Sequence, residues 1–276
     1  MNFNEGRSVV VAFDHGTQGA IQGGEHLPQM LETIGTSSAD GVLLTVGATV
    51  HYAAWAAGHQ GAAQPIAGLD IPIFGTHVSD SEYLLTTRQP WTAEDAVRAG
   101  AAMCKMLLPL GLRDLGEWAD ALERIARAGA DARRIGCPVM LEPAFWGAEE
   151  GESDGAILDA ARLCVELGAD VLKVPSPRNV DTLERLIAWS PVPVVILGGK
   201  PRDGDQLIRE IHSWVNAGAA GVVVGRNVWN RPNPPAAIEA IATVLRDMRL
   251  DDALRLMDQA GTPLSLAGAA THGSAG

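Results

Sequence analysis

The sequence predicts a single-domain α/β fold, a closed (β/α)8 or TIM barrel, and three observations carry that expectation. Eight short aliphatic runs recur along the chain: SVVVAF at 8, DGVLLT at 40, IPIFGT at 71, AMCKMLL at 102, CPVMLE at 137, ADVLKV at 169, VPVVIL at 192 and AGVVVG at 220. They are near-continuously apolar, as parallel strands covered on both faces are. Stretches with helical spacing separate them, and a strand-helix alternation of this kind builds parallel sheets. The length of 276 residues suits one barrel.

Taken in order, the clearest helix carries Leu115, Trp118, Leu122, Ile125 and Ala128 at spacings of three and four. A second carries Ile157, Ala161, Cys164 and Val165 and ends near Gly168. A third carries Leu207, Ile208, Ile211, Trp214 and Val215 and stops at Gly218, a C-cap signal. The Ala- and Gly-rich region from Val46 to Leu69 reads as a long connection with a small helix. An open doubly wound sheet is the competing architecture, but no GxGxxG follows the first strand. Residues 1–261 are expected to form the barrel. Residues 262–276, small and polar without an apolar period, are expected to form a flexible tail.

Hydrophobic residues at 47% allow a large core and exclude a disordered chain. The net charge of −12, with no dense Lys/Arg stripe, argues against nucleic acid as a partner. A small anionic substrate remains compatible, because one pocket can be locally positive. No apolar run reaches the roughly 18 residues of a membrane span and the N-terminus lacks a signal-peptide pattern. A cytoplasmic protein is the expectation. Cys104, Cys137 and Cys164 lack CxxC spacing and read as reduced core thiols. The histidines form no compact ligand motif, so neither a metal nor a cofactor is expected.

Candidate site residues follow from the architecture, since the loops beyond the C-terminal strand ends build the active site of such barrels. Asp14 and His15 follow the first strand, Lys105 sits late in the fourth, Glu142 ends the fifth and Lys173 lies late in the sixth. An ionisable group among apolar neighbours is costly unless it is paired or used. Lys173 interrupts an otherwise apolar strand, where desolvation and a second cation such as Lys105 favour the neutral amine that attacks a carbonyl. The alternative is that either lysine reaches solvent or pairs with a carboxylate. Glu142, held extended by the following proline, is a candidate acid/base or an ion-pair partner. Asp14 is a candidate for orienting a substrate hydroxyl or amine, and equally an ordinary turn residue. His15 is a candidate substrate contact. The turns at Gly198 and Gly199, and at Gly225 and Arg226, follow the seventh and eighth strands, where backbone N–H groups and a helix N-terminus suit a phosphate.

The segments FDHG, DGVLLT, CKMLL, MLEP, ADVLKVP, VVILGGK and GVVVGRNVW together resemble the Schiff-base aldolases of the class I fructose-bisphosphate and tagatose-bisphosphate families. The resemblance runs from about Val9 to Trp229. It includes the branch acting on sulfofructose phosphate. It implies an imine on Lys173, proton transfer by Glu142, polar support from Asp14 and Lys105, and phosphate binding at Gly198, Gly199, Gly225 and Arg226. The implied reaction makes or cleaves a carbon–carbon bond, with dihydroxyacetone phosphate and an aldehyde as products or substrates. The phosphorylated small molecule is then the main partner, and a homo-oligomer is expected. A biosynthetic use, joining dihydroxyacetone phosphate to an amino-acid semialdehyde, stays open. So do a phosphosugar isomerase or epimerase and a phosphosugar-binding barrel without turnover. Two departures stand out: Phe145 and Trp146 occupy the region of a catalytic tyrosine in the archaeal-type branch, and Gly198 replaces a serine of the tagatose branch.

Overall fold

The computed structural model describes residues 3, 7–18, 24–74, 84–112, 114–145 and 153–264. Most of the expected tail, residues 265–276, and Trp146 therefore lie outside the described residues.

Among the described residues there are ten strands: β1 (Ser8–Ala12), β2 (Gly41–Thr45), β3 (Gln64–Gly68), β4 (Ile71–Phe74), β5 (Leu84–Arg88), β6 (Met103–Pro109), β7 (Val139–Ala144), β8 (Val171–Val174), β9 (Val194–Leu197) and β10 (Gly221–Val224). Eight of them close a parallel barrel in the cyclic order β1-β2-β3-β6-β7-β8-β9-β10. The expected (β/α)8 barrel is thus the observed fold. Its helices are α1 (Leu27–Gly35), α2 (Val46–Ala56), α3 (Ala93–Arg98), α4 (Leu115–Arg134), α5 (Asp154–Glu166), α6 (Val180–Trp189), α7 (Gly204–Asn216), α8 (Arg226–Trp229), α9 (Pro234–Asp247) and α10 (Leu250–Ala260).

Polar residues fix the starts of these helices. Thr45, Asp114, Ser153, Asn179, Asp203 and Asn233 each accept a hydrogen bond from a backbone N–H of the helix that follows. Each satisfies a donor that the helix geometry leaves without a partner. Thr92 and Asp95 form a reciprocal capping box on α3.

One expected strand is misplaced. The third barrel strand is Gln64–Gly68, inside the region read as a connection, whereas Ile71–Phe74 pairs antiparallel with Leu84–Arg88 in a separate ribbon. The physical reason is that QPIAG is short and contains Pro and Gly, while IPIF has the stronger β-branched composition. β3 gains its place through pairing on both sides, with β2 and β6. The ribbon is tied to α4, where Arg88 and Thr86 bond to Glu117 and Arg124 donates to the Thr87 carbonyl.

Side chains alternate along each strand. One set, including Val9, Val11, Val42, Leu44, Leu141, Leu172 and Val222, faces the helices. The other fills the barrel with Phe3, Val10, Leu43, Ile66, Met103, Met140, Val171, Val195 and Val223. This inner layer closes the bottom of the barrel. Strand approach is tightest at Gly221, where an added Cβ would lie 2.3 Å from the Ser8 carbonyl oxygen. Because backbone cannot swing aside, Gly221→Ala is expected to destabilise the fold by about 3 kcal/mol, seen as a lower denaturant midpoint with an unchanged slope.

Candidate active site

The alternation that fills the barrel also places its charged groups. Two residues beyond the inner-layer Met103, Met140 and Val171 stand Lys105, Glu142 and Lys173, which therefore point inward at the C-terminal mouth. The same step from Val10 runs through Ala12 to Asp14, and from Ile66 through Gly68 to Asp70. Asp14, Lys105, Glu142 and Lys173, all singled out from the sequence, are brought together.

Glu142 is the centre of this cluster. Its Oε2 accepts from Lys105 Nζ at 2.8 Å and from Lys173 Nζ at 2.9 Å, with both lysine side chains at most 7% exposed. Lys105 Nζ also lies 3.6 Å from Asp14 Oδ2. Burial raises the Glu142 carboxyl, but Lys105 and Lys173 outweigh it and hold it below its ordinary value. Burial likewise opposes the charge on Asp14, and again Lys105, His15 and Lys173 prevail and lower its pKa. On Lys105, burial disfavours the ammonium, yet Glu142, Asp14 and Asp70 together hold its pKa above the ordinary value. Lys105 is therefore a fixed cation. Such a buried network is stable only while all members remain, so removing one leaves an uncompensated charge.

His15 opens a short 3-10 turn after β1, its ring edge-on to Trp229 at 5.6 Å. Burial lowers its pKa despite Asp14 at 3.5 Å, so the ring is neutral at pH 7. It lines the site beside Glu142 and Lys173.

Gly198, Gly199, Gly225 and Arg226 line one cavity of about 710 Å³ together with Lys173 and Glu142. Gly199 has φ +66°, the left-handed region that favours glycine. At Gly225 a Cβ would lie 2.8 Å from the Ala12 carbonyl oxygen, so the close approach of β10 and β1 requires a residue without one. Arg226 is half-buried, its Nη2 reaching the Gly199 carbonyl at 3.5 Å. Lys200, Arg178 and an Arg202 paired with Glu210 line the same cavity, leaving it net cationic in a protein of net charge −12.

Two contributors escaped the sequence reading. Asn227, fully buried, donates to the Gly198 and Lys200 carbonyls and accepts from the Arg202 N–H, fixing the turn after β9. Its neighbourhood, GRN from Gly225 on, carries no local signal of that role. Asp70 lies beside Lys105, and one carboxylate oxygen accepts from the Leu107 N–H at 2.7 Å. It was missed because the strand before it was missed. Phe145 lines the larger cavity but has no ionisable group to replace a tyrosine. Among the described residues, no group of three or more His, Cys, Asp or Glu side chains is arranged to hold a metal ion, and no helix is long and apolar enough to cross a membrane.

The sequence model described as DeoC/LacD family aldolase matches residues 8–231. A 2-amino-3,7-dideoxy-D-threo-hept-6-ulosonate synthase of Halobacterium salinarum is 32% identical over 246 residues, covering 87% of each chain. A class 1 fructose-bisphosphate aldolase of the same organism is 31% identical over 168 residues, 59% of this chain and 63% of that one. Among solved structures, a Schiff-base-forming fructose-1,6-bisphosphate aldolase superposes with a TM-score of 0.74 at 24% identity, covering 87% of this chain and 94% of its own. At that identity the likeness bears on the fold.

Proposed function

Because this chain belongs to the DeoC/LacD family of aldolases, we propose that it cleaves or forms a carbon–carbon bond through an imine on Lys173, with dihydroxyacetone phosphate as the ketone component. The observation that carries the reading is the Glu142 carboxylate bridging two buried lysines at the barrel mouth. In the cleavage direction, the Lys173 amine adds to the substrate ketone and loses water, giving a protonated imine. Glu142 removes the proton from the hydroxyl on the far carbon of the breaking bond, the carbon that becomes the aldehyde. That bond's electrons move into the imine, releasing an aldehyde and leaving an enamine. Protonation at carbon and hydrolysis then free the ketone and regenerate the amine.

The roles of the two lysines differ by their surroundings. Lys105 is held as an ammonium between Glu142 and Asp14, which suits it to balance charge and bind a substrate oxygen. Lys173 meets the open cavity beside the glycine turns, where a ketone would lie. Borohydride added with dihydroxyacetone phosphate should leave a reduced covalent adduct. An isomerase, an epimerase or a binding barrel without turnover would leave none.

The substrate phosphate sits against Gly198, Gly199, Gly225 and Arg226. This reading is supported by two strand-end turns and a cationic wall in one cavity. Arg226→Ala is expected to weaken phosphorylated substrates by roughly 1.5–3 kcal/mol relative to dephosphorylated analogues, the range for a lost charged hydrogen bond. Competition binding with the two substrate forms checks this, and equal losses on both would remove the phosphate assignment. The physiological direction has a second reading. The synthase name of the Halobacterium salinarum relative favours condensation over cleavage.

A further inference from the structure

The turn after β9 keeps its donors and its acceptors apart. Across residues 198–202 the Gly198 N–H donates to the Val223 carbonyl, the Arg202 N–H donates to Asn227 Oδ1, and Pro201 has no N–H. The N–H groups of Gly199 and Lys200 make no hydrogen bond among the described residues, and both residues line the large cavity. The carbonyls are held by side chains instead. Gly198 accepts from Arg202 Nη2 at 2.9 Å and from Asn227 Nδ2 at 2.8 Å, Lys200 accepts from Asn227 Nδ2 at 3.0 Å, and Arg202 accepts from Arg231 Nη2 at 3.0 Å. In a planar trans peptide the C=O and the next N–H point in opposite directions. Holding the Gly198 carbonyl therefore fixes where the Gly199 N–H points.

Arg231 stands behind this arrangement. It follows α8, is 3% exposed, and is not part of the cavity lining. Its nitrogens all donate to carbonyls: Nε to Asn227 at 2.9 Å, Nη2 to Arg202, and Nη1 to Gly261 at the end of α10. It thus grips both residues that hold the Gly198 carbonyl. Burying a guanidinium against neutral carbonyls is costly, and a bolt between helices could use a neutral donor. The planar fork reaches carbonyls in three directions, which a lysine cannot do. We propose that Arg231 is a positioning residue for the substrate phosphate: without touching substrate, it holds Arg202 and Asn227 so that the Gly199 and Lys200 N–H groups stay directed at the anion. The inference rests on the phosphate reading above and names the buried residue that sets its strength.

The test reads the ketone concentration at half-maximal borohydride trapping, for dihydroxyacetone phosphate and for dihydroxyacetone, in the wild type, Arg231→Met and Arg231→Lys. The wild type should be half-trapped at a lower concentration of the phosphorylated ketone. Arg231→Met should raise that concentration by roughly 10- to 100-fold, the equivalent of one hydrogen bond to a charged group. Competition by inorganic phosphate should weaken in step. For dihydroxyacetone the value should stay within about twofold, with an unchanged yield of trapped enzyme at saturation, since the imine chemistry is untouched. Arg231→Lys keeps the charge but reaches fewer carbonyls, so it should fall between the two. A general loosening of the barrel would move both ketones, so an equal rise for both overturns the proposal. So does an unchanged value for the phosphorylated ketone, or failure of both variants to fold by circular dichroism, which would make Arg231 a residue of the fold alone. A wild type that takes both ketones equally overturns the phosphate assignment, and the role of Arg231 with it. If the wild type cannot be trapped, the imine reading falls. The same weakening must then appear in the calorimetric affinity for inorganic phosphate, or the proposal fails as well.

Discussion

Lys173→Ala is expected to abolish both borohydride trapping with dihydroxyacetone phosphate and carbon–carbon cleavage, a loss of roughly a thousandfold or more in kcat, because no second route to the imine remains. Lys105→Ala should behave differently. Its Nζ lies between Glu142 at 2.8 Å and Asp14 at 3.6 Å, so its removal leaves two carboxylates without their shared cation. Turnover should fall, yet the adduct should still form, and peptide mapping should find it on the segment containing Lys173. The contrast is informative because both amines touch the same Glu142 oxygen, and proximity alone does not choose between them. What chooses is the ionic setting: Lys105 has Asp14 as a second anionic neighbour, and Lys173 opens onto the cationic cavity with the glycine turns. An adduct mapped to Lys105 would reverse the two roles. No adduct on either would remove the imine mechanism.

The cluster was legible in the sequence wherever a strand was legible. Lys105, Glu142 and Lys173 interrupt runs such as MCKMLL, VMLE and DVLKV, and a period of two fixes their side. Asp14 was legible by position alone, since its own signal is that of a turn. Asp70 shows where the method stops. Its strand, QPIAG, holds a proline and a glycine and is stabilised by parallel pairing with two neighbours, a long-range effect that local propensity does not carry. The nearby IPIF reads more like a strand and is one, but in an antiparallel ribbon that adds to the barrel rather than closing it. With β3 placed correctly, the step from Ile66 through Gly68 reaches Asp70 by the rule that found Lys105. Asn227 was illegible for another reason: a carboxamide that ties two turns together shows itself only once both turns are in space.

Glu142→Gln is expected to lower kcat by roughly 100- to 10,000-fold, the range for a positioned acid/base, while retaining much of the trapping with dihydroxyacetone phosphate. Lys105 and Lys173 overcome burial and hold the Glu142 pKa below the ordinary value, so at neutral pH the carboxylate is ionised and offers lone pairs to the hydroxyl proton. Imine formation on Lys173 converts one of its two cationic partners into a group bonded to substrate, freeing Oε2 to turn toward the reacting hydroxyl. Glutamine fills the same space and can still accept from one lysine, so the imine should form. It cannot take the hydroxyl proton, so cleavage should stall after the covalent step. Single-turnover kinetics separate the two stages: a rapid approach to the trappable species followed by slow aldehyde release is the expected pattern. Phe145, the neighbouring residue in the region of a catalytic tyrosine elsewhere, offers no proton and cannot substitute. Unchanged turnover in Glu142→Gln would move the acid/base role to another group at the mouth, with Asp14 the first to test because it shares Lys105.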